Sequence, residues 1–241
     1  MAHCYWHEAL DGAAAGDVVT LTGEEAHHAA VVSRMRRGER VLVSDGRGVM
    51  AEGVIERAER DGVDVVLQHV QVVEAPSPRI GLAQALAKGD RAELAVQAST
   101  ELGVDAIVPW QARRSVVQWK GERGEKSLER WRKVVREAGK QAIRPHLPDV
   151  GAVVDTAGLA ALAQDWQLVV LEPTASVSLA QLPIERDVLL VVGPEGGIDP
   201  GELEALDAVG ALQARMGDHV LRTSTAGLAA IAALSVRLGR W

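Results

Sequence analysis

The pattern of apolar and polar positions differs on the two sides of a proline-bearing segment, EAPSPR, at residues 74–79. Before it, apolar and polar residues alternate in short runs: DVVTLTG, RVLVSDGRG, MAEGVIERA and DGVDVVLQHV. This alternation is typical of half-buried strands, and Asp45-Gly46 and Asp61-Gly62 are signals of hairpin turns. The pattern predicts a small β-barrel over residues 1–73, with a short helix at residues 24–32, and a linker at 74–79.

After the linker, strands alternate with helices, which predicts an α/β domain over residues 80–241 with a mostly parallel sheet. Asp187–Val192 reads DVLLVV, a run typical of a strand buried on both faces. Ser127–Ala142 has its apolar residues at helical spacing on one face. The last predicted helix, Ala226–Leu238, is apolar on nearly all sides, so we expect the chain itself or a second subunit to cover every face.

Two glycine-bearing turns each connect a predicted strand to a predicted helix in the last part of the chain. The first, Gly193–Gly197, follows DVLLVV, and its glycines permit close approach of the backbone to a ligand. Asp199, Pro200 and Glu202 then provide the cap, the first position and the capping box of a helix. The second turn begins at Gly217, after a strand predicted at 211–216, and leads into a helix for which Ser224 or Thr225 is the expected cap.

Two consecutive turns of this kind can form one small-molecule pocket at the ends of neighbouring strands. Neither turn is followed by Gly-Lys-Ser/Thr, and neither contains G-x-G-x-x-G, so they are not phosphate or dinucleotide loops. We therefore expect an adenosine-like or similarly neutral group rather than a polyphosphate.

Composition limits the classes of protein that need to be considered. The 241 residues are 47% hydrophobic, yet no run approaches the ~20 apolar residues of a membrane span. The N-terminus does not read as a secretory signal. Cys4 is the only cysteine, and His27-His28 has no further ligand at metal-binding spacing, so neither disulfides nor a metal site is expected. A cytoplasmic enzyme without membrane contact is favoured.

Charge is distributed unevenly along the chain. The formal net charge is −7, but between Arg113 and His146 eleven Lys/Arg residues stand against four Glu residues. A row at helical spacing, and a second cluster before a tight turn, are the candidate RNA-binding residues: Arg132, Arg136, Lys140 and Arg144 in the row, and Arg34, Arg36 and Arg37 in the cluster. A polyanionic partner is favoured over a solvated face for the row, and both interpretations stay open for the cluster.

Several motifs together resemble one family. GPEGG before an acidic helix, and G-x-x-VLR-T-x-TA before an apolar one, are similar to motifs of the SPOUT-class methyltransferases. The resemblance is greatest to the ribosomal RNA small subunit methyltransferase E family, which makes N3-methyluridine in 16S rRNA. HHAAVVSRMRRGERVLVSDGRG, AKGDRAELAVQASTELGVDAIVPWQARRS and EAGKQAIRPHLP resemble further blocks of that family, in the same order. Ser224 stands where the family usually has glutamate, so no role of that carboxylate carries over.

The resemblance implies a PUA-like, RNA-binding β-barrel at 1–73 and a SPOUT methyltransferase domain with a trefoil knot at 80–241. It also implies a homodimer, S-adenosyl-L-methionine as cofactor, and 16S rRNA or the small ribosomal subunit as partner. The residues expected to bind the cofactor come from the two turns and from a third wall that precedes them in sequence. They are Leu171, Glu172, Pro173, Gly193, Pro194, Glu195, Gly196, Gly197, Met216, Gly217, Val220, Leu221, Arg222, Thr223 and Ala226.

The chemistry of uridine N3 selects two catalytic candidates. N3 must lose its proton before it can attack a methyl group, so an enzyme must stabilise the uridine anion or supply a base. Arg222 is the candidate for stabilising the anion, and Glu195 is the candidate base or a ligand of the cofactor amine. A salt bridge between the two is the alternative interpretation. A non-catalytic RNA-binding protein, or a methyltransferase with another RNA or small-molecule target, is the alternative function.

Overall fold

The computed structural model describes residues 3–89 and 91–241, which form two compact units. The first unit comprises Met1–Ala75 together with Gly139–Leu147, and the second comprises Pro76–Ala138 and Pro148–Trp241. The division at residues 75 and 76 falls within the predicted linker at 74–79. Gly139–Leu147 lies within the domain predicted at 80–241, but in the structure it packs with the first unit.

A five-stranded sheet in the order β1-β3-β4-β5-β2 forms most of the first unit. β1 pairs with β3 in parallel and the other neighbours are antiparallel. Its strands are β1 (His3–Trp6), β2 (Val18–Leu21), β3 (Arg40–Ser44), β4 (Val49–Ala58) and β5 (Val63–Val72). Both expected hairpins are present, because β3 and β5 each pair with β4 across the predicted turns. Alternate residues of the strands point into one apolar core that includes Tyr5, Val43 and Val65.

The predicted short helix of the first unit begins as α1 (Gly23–His27) and continues as one π-helical turn over His28–Val32. Gly139–Leu147 is attached to this unit by specific bonds. The Leu147 amide donates to the Gly46 carbonyl oxygen at 2.9 Å, and Lys140 Nζ lies 2.7 Å from Glu25 Oε1. The segment is therefore a structural part of the first unit, although more than sixty residues separate it from Ala75 in sequence.

The second unit contains the predicted parallel sheet, with six strands in the order β11-β9-β10-β6-β7-β8. The strands are β6 (Ile80–Ala85), β7 (Ala106–Trp110), β8 (Asp149–Val150), β9 (Gln167–Leu171), β10 (Val188–Val192) and β11 (Leu212–Ala214). Every residue of β10 is buried, as the apolar run before the first glycine turn predicts, and every residue of β6 is buried as well. Three tryptophans of this unit are buried as well: Trp110, Trp131 and Trp166.

The helices of the second unit are α2 (Arg91–Glu101), α3 (Gly121–Gln141), α4 (Thr156–Ala161), α5 (Pro200–Asp207) and α6 (Thr223–Arg237). Helix α3 begins six residues before the predicted start at Ser127. Its first turns consist of charged residues and glycine without an apolar repeat, and a Glu122–Lys126 pair at 2.9 Å stabilises them on the surface. Apolar periodicity could not detect these turns. The buried face of the helix is the predicted one, with Trp131, Val135 and Ala138.

Helix α6 packs against α2, β6 and β10. The expectation that Ser224 or Thr225 caps this helix is wrong, because Arg222 occupies the capping position and both residues lie in the first turn. The Thr223 hydroxyl donates to the Gly193 carbonyl oxygen at 2.8 Å, which fixes the start of the helix at Thr223. Among the described residues, one face of α6 is covered: Ile231 and Leu234 are buried, whereas Val236 is 62% exposed. No helix among the described residues is both long and apolar enough to span a bilayer.

Candidate active site

A cavity of about 340 Å³ lies in the second unit, where β9 and β10 end and α6 begins. Three segments separated in sequence form its walls: the residues after β9, the first glycine turn, and the end of the second loop. Twelve of the expected cofactor residues line it: Leu171, Glu172, Pro173, Gly193, Pro194, Glu195, Gly197, Val220, Leu221, Arg222, Thr223 and Ala226. The structure thus brings the two predicted turns to one cavity. The expectation that they follow neighbouring strands is wrong, because β9 lies between β10 and β11.

The other three expected cofactor residues lie elsewhere. Met216 and Gly217 line a small adjoining cavity of about 50 Å³, which shares Leu171 and Ala226 with the larger one. Gly196 lines neither cavity. Its carbonyl oxygen accepts a hydrogen bond from Arg114 Nη1 at 3.2 Å, so this part of the turn faces Arg114 rather than the cavity.

The helix that follows the first turn fixes the shape of that turn. Gly197 has φ +73°, and its amide donates to the Pro194 carbonyl oxygen at 2.9 Å, which closes a tight turn. The predicted capping box of α5 is present: the Asp199 carboxylate accepts from Gly201, and Glu202 accepts from the Asp199 amide. Glu202 is 1% exposed and also accepts from Thr156 Oγ1 at 2.5 Å. The buried Glu202 carboxylate, held by these hydrogen bonds, therefore stabilises the start of α5 directly after the turn.

The two glycine turns are connected directly. Thr223 Oγ1 donates to the Gly193 carbonyl oxygen at 2.8 Å, and Gln84 Nε2 donates to Thr223 Oγ1 at 3.0 Å. Gln84 lies on β6 and is completely buried. In the sequence, Gln84 is distinguished only as a polar residue within an otherwise apolar strand.

Charged groups on the cavity wall have an arrangement that the sequence did not predict. Glu195 pairs with Arg91 at the start of α2, with 3.0 Å between Oε1 and Nη1. Arg222 is exposed and has no ion pair among the residues that the structure describes, so the alternative Arg222–Glu195 salt bridge is wrong. Arg91 was missed because it stands 104 positions before Glu195, and only the fold brings them together.

The comparisons with known proteins agree with this architecture. Residues 74–235 match the model of the RNA methyltransferase domain, and residues 21–68 match that of the RNA methyltransferase PUA domain. The chain is 40% identical over 233 residues to the ribosomal RNA small subunit methyltransferase E of Mycobacterium tuberculosis, covering 94% of this chain and 89% of that protein. The chain belongs to the ribosomal RNA small subunit methyltransferase E family. The Bacillus subtilis member is 33% identical over 227 residues, covering 90% of this chain and 89% of the relative.

Two solved structures similar to this one contain S-adenosylmethionine. A methyltransferase E from Neisseria gonorrhoeae bound to S-adenosyl methionine is 26% identical, with a TM-score of 0.89 and 98% of each chain covered. A putative methyltransferase from Legionella pneumophila, in complex with the same cofactor, is 30% identical, with the same TM-score and coverage. The resemblance found in the sequence motifs is therefore confirmed at the level of the family.

The candidate RNA-binding residues of this family member differ in how accessible they are. Arg34, Arg36 and Arg37 are exposed on the first unit, and Arg34 adopts a left-handed backbone conformation with φ +53°. Arg132 and Arg136 are exposed on α3, and Arg132 is paired with Glu129. Arg144 is half-buried.

Lys140, which the sequence places in the RNA-binding row, is buried in this structure. Its side chain is 6% exposed, and Nζ lies 2.7 Å from Glu25 Oε1. The last turn of α3 belongs to the first unit, so the helical repeat that places Lys140 in a row with Arg132 and Arg136 directs it into a packed region instead. A phosphate group could reach it only by breaking this pair.

Trp119 is half-buried and packs edge to face against Trp131, with 5.0 Å between ring centroids. Within residues 3–89 and 91–241, no group of three His, Cys, Asp or Glu side chains is arranged to hold a metal ion.

Proposed function

We propose that this chain transfers the methyl group of S-adenosyl-L-methionine to N3 of a uridine in the 16S rRNA of the small ribosomal subunit. The observation that carries the proposal is the cavity made jointly by two glycine turns in a member of the methyltransferase E family. The names of its relatives specify a ribosomal RNA of the small subunit as the substrate.

The residues on the cavity wall fit this cofactor. The volume of about 340 Å³ lies at the lower end of the range for small-molecule sites, roughly 300–1,000 Å³. Leu171, Ile198 and Leu221 supply apolar surface for a base, and Glu172 and Glu195 supply carboxylates for a ligand that carries positive charge. When bound, the cofactor supplies an electrophilic methyl carbon.

Arg222 and Glu195 have complementary tasks in the proposed reaction. Arg222 stays protonated at any working pH and faces the cavity without an ion pair among the described residues, so its guanidinium is available to a uracil oxygen that gains negative charge. Glu195 accepts the proton that leaves N3. Its pair with Arg91 orients one carboxylate oxygen and leaves the other available for this step.

The proposal also covers the assembly and the larger partner. The face of α6 away from the sheet bears half-buried Leu228 and Ala232 and exposed Val236, which supports a homodimer that covers the helix. We assign the sheet of the second unit to the SPOUT class with its trefoil knot, and the first unit to a PUA-like barrel that binds RNA. The exposed arginines of the first unit, together with Arg132 and Arg136, are its proposed RNA contacts, and the cytoplasm is its proposed location.

Mapping of methylated nucleosides tests this function. Mass spectrometry of 16S rRNA fragments from cells that lack the protein should show one uridine without its N3-methyl group. Expression of the wild-type chain should restore that group, and expression of Arg222→Ala should not. An unchanged set of methylated nucleosides in the deletion strain would refute the assigned substrate, whereas loss of a methyl group at another atom would refute the assigned position.

A further inference from the structure

Gln84 is a buried polar residue beside the cavity that the proposed chemistry does not use. It lies near the carboxyl end of β6, opposite Val192 of β10 on one side and Pro109 of β7 on the other. Its side chain is 0% exposed. It does not line the cavity, but Thr223 and Gly193, which follow it in a chain of hydrogen bonds, both do.

The direction of this chain of hydrogen bonds follows from its end. The Gly193 carbonyl can only accept, so the single hydroxyl proton of Thr223 is donated to it at 2.8 Å. Thr223 Oγ1 must then act as an acceptor toward Gln84, which fixes the Gln84 amide with its NH₂ group toward Thr223 at 3.0 Å. The same NH₂ group lies 3.3 Å from the Ala85 carbonyl oxygen. The sheet, the first glycine turn and the start of α6 are thereby linked.

This orientation leaves Gln84 Oε1 buried and without a hydrogen-bond partner among the described residues. A buried acceptor without a partner costs roughly 1–3 kcal/mol. An apolar residue of similar size would avoid that cost, so stability does not explain a glutamine at this position. The group that benefits from it is the Thr223 hydroxyl, which gains a fixed donor and is held against Gly193.

We propose that Gln84 is a positioning residue for the cofactor cavity: it sets the distance between the first glycine turn and the start of α6 by orienting the Thr223 hydroxyl. The proposal rests on the proposed cofactor site. It assigns to Gln84 an effect on cofactor affinity without any contact with cofactor or RNA.

The test combines Gln84→Met, Thr223→Val and the double variant. Gln84→Met keeps the volume and removes both the donor and the acceptor without a partner, so unfolding in urea should change little. The dissociation constant for S-adenosylmethionine, measured by calorimetry, should rise about fivefold to tenfold, as expected for one lost neutral hydrogen bond. The KM for the cofactor should rise in parallel, while the single-turnover rate at saturating cofactor stays within about threefold, because Gln84 does not touch the reacting groups.

Coupling between the variants separates positioning from general damage. If Gln84 acts through Thr223, the double variant should bind the cofactor no more weakly than Thr223→Val alone. Thr223→Ser, which keeps the hydroxyl, should recover most of the affinity that Thr223→Val loses. Ser235→Ala is the matched control, since Ser235 is a 1% exposed residue of α6 whose hydroxyl also has no described partner.

The affinities of these variants and of the wild-type chain test the role of Gln84 and the cofactor site separately. Cofactor affinity of Gln84→Met within twofold of wild type, or losses that add in the double variant, would overturn the proposal. If Gln84→Met does not fold, Gln84→Leu and Thr223→Val carry the same comparison. A wild-type chain that does not bind S-adenosylmethionine would instead overturn the proposed cofactor site, and that result is obtained before any variant is measured.

Discussion

Replacing Gly193 by alanine tests whether the first glycine turn requires a residue without a side chain. A Cβ atom at Gly193 would lie 2.6 Å from Ile198 Cγ1 and 3.3 Å from Ile198 Cδ1. Carbon atoms in contact prefer about 3.5–4.0 Å, so Ile198 or the turn must move by about 1 Å. Ile198 is 6% exposed and lines the cavity, which leaves it little room to move except into the ligand space.

Overpacking of this kind costs roughly 1–3 kcal/mol of stability. We expect Gly193→Ala to lower the free energy of unfolding by that amount, measured in urea. Because the displaced Ile198 side chain narrows the cavity, the dissociation constant for S-adenosylmethionine should also rise about tenfold, which is 1.4 kcal/mol. Calorimetry with the purified variant measures this constant.

Gly196→Ala is the matched control within the same turn. A Cβ atom at Gly196 would lie 3.4 Å from Arg114 Cβ, an ordinary contact, and Gly196 lines neither cavity. Its free energy of unfolding should stay within about 0.5 kcal/mol of wild type. Equal cofactor affinity in Gly193→Ala and wild type, or a greater loss in Gly196→Ala, would refute the assignment of the cavity wall.

The remaining predictions concern charged residues. Arg222→Ala should lower the single-turnover rate by about 10²–10³, the usual effect of losing one preorganised donor, with cofactor and RNA affinities within a few-fold; a rate near wild type would contradict its role. Replacing Arg132 and Arg136 together with glutamine should reduce the salt dependence of RNA binding by about 2 in logarithmic slope, one for each phosphate contact, in filter-binding assays. Burial raises the pKa of Asp187, but hydrogen bonds from the Arg79 backbone and side chain outweigh it and hold that pKa below its ordinary value. The ionised carboxylate therefore stabilises the fold above the unfolded pKa of about 3.9 and loses this effect as pH falls through the lower folded value. Asp187→Asn should unfold at lower urea than wild type at neutral pH, and the difference should shrink in acid.

The controls for these predictions use residues that the structure places differently. Lys140→Gln should leave the salt dependence of RNA binding unchanged, because Lys140 is buried against Glu25, and should lower stability instead. A smaller salt slope in that variant would return Lys140 to the RNA-binding surface. Arg222→Lys keeps the charge without the planar fork and should recover only part of the rate. For Asp187→Asn, a difference from wild type that stays constant into acid would contradict the cause given for the shift.

Features that depend on neighbours in sequence were predictable from the sequence. The capping box of α5 needs only Asp199, Pro200 and Glu202 within four positions, and the hairpin turn at Asp45-Gly46 needs only its own two residues and the alternation around them. The cavity was predictable for a related reason. The first glycine turn follows an apolar run, and the carboxyl ends of parallel strands lie at one edge of the sheet, although β9 separates β10 from β11, which the sequence did not predict.

Features that depend on distant partners were not predictable. Helical spacing places Lys140 on the same face as Arg136. It does not reveal that Glu25, 115 positions away, lies beside the last turn of α3 and pairs with Lys140. In the same way the pattern at 193–197 shows Glu195 in a loop and cannot name Arg91 as its partner. The prediction of the α6 cap was wrong for the same reason. A hydrogen bond from Thr223 to Gly193, thirty positions away, determines where that helix begins.

The inclusion of Gly139–Leu147 in the first unit means that this unit is not a transplantable module. A gene fragment ending at Ala75 would encode all five strands of its sheet, yet Glu25 would lack its lysine, and the backbone of Gly46 and Gly48 would lose bonds to Leu147 and Pro145. Recombination at the linker alone would not transfer the complete first unit, because Gly139–Leu147 lies within the sequence that encodes the second unit. An exchange of the complete first unit would have to include both of its segments.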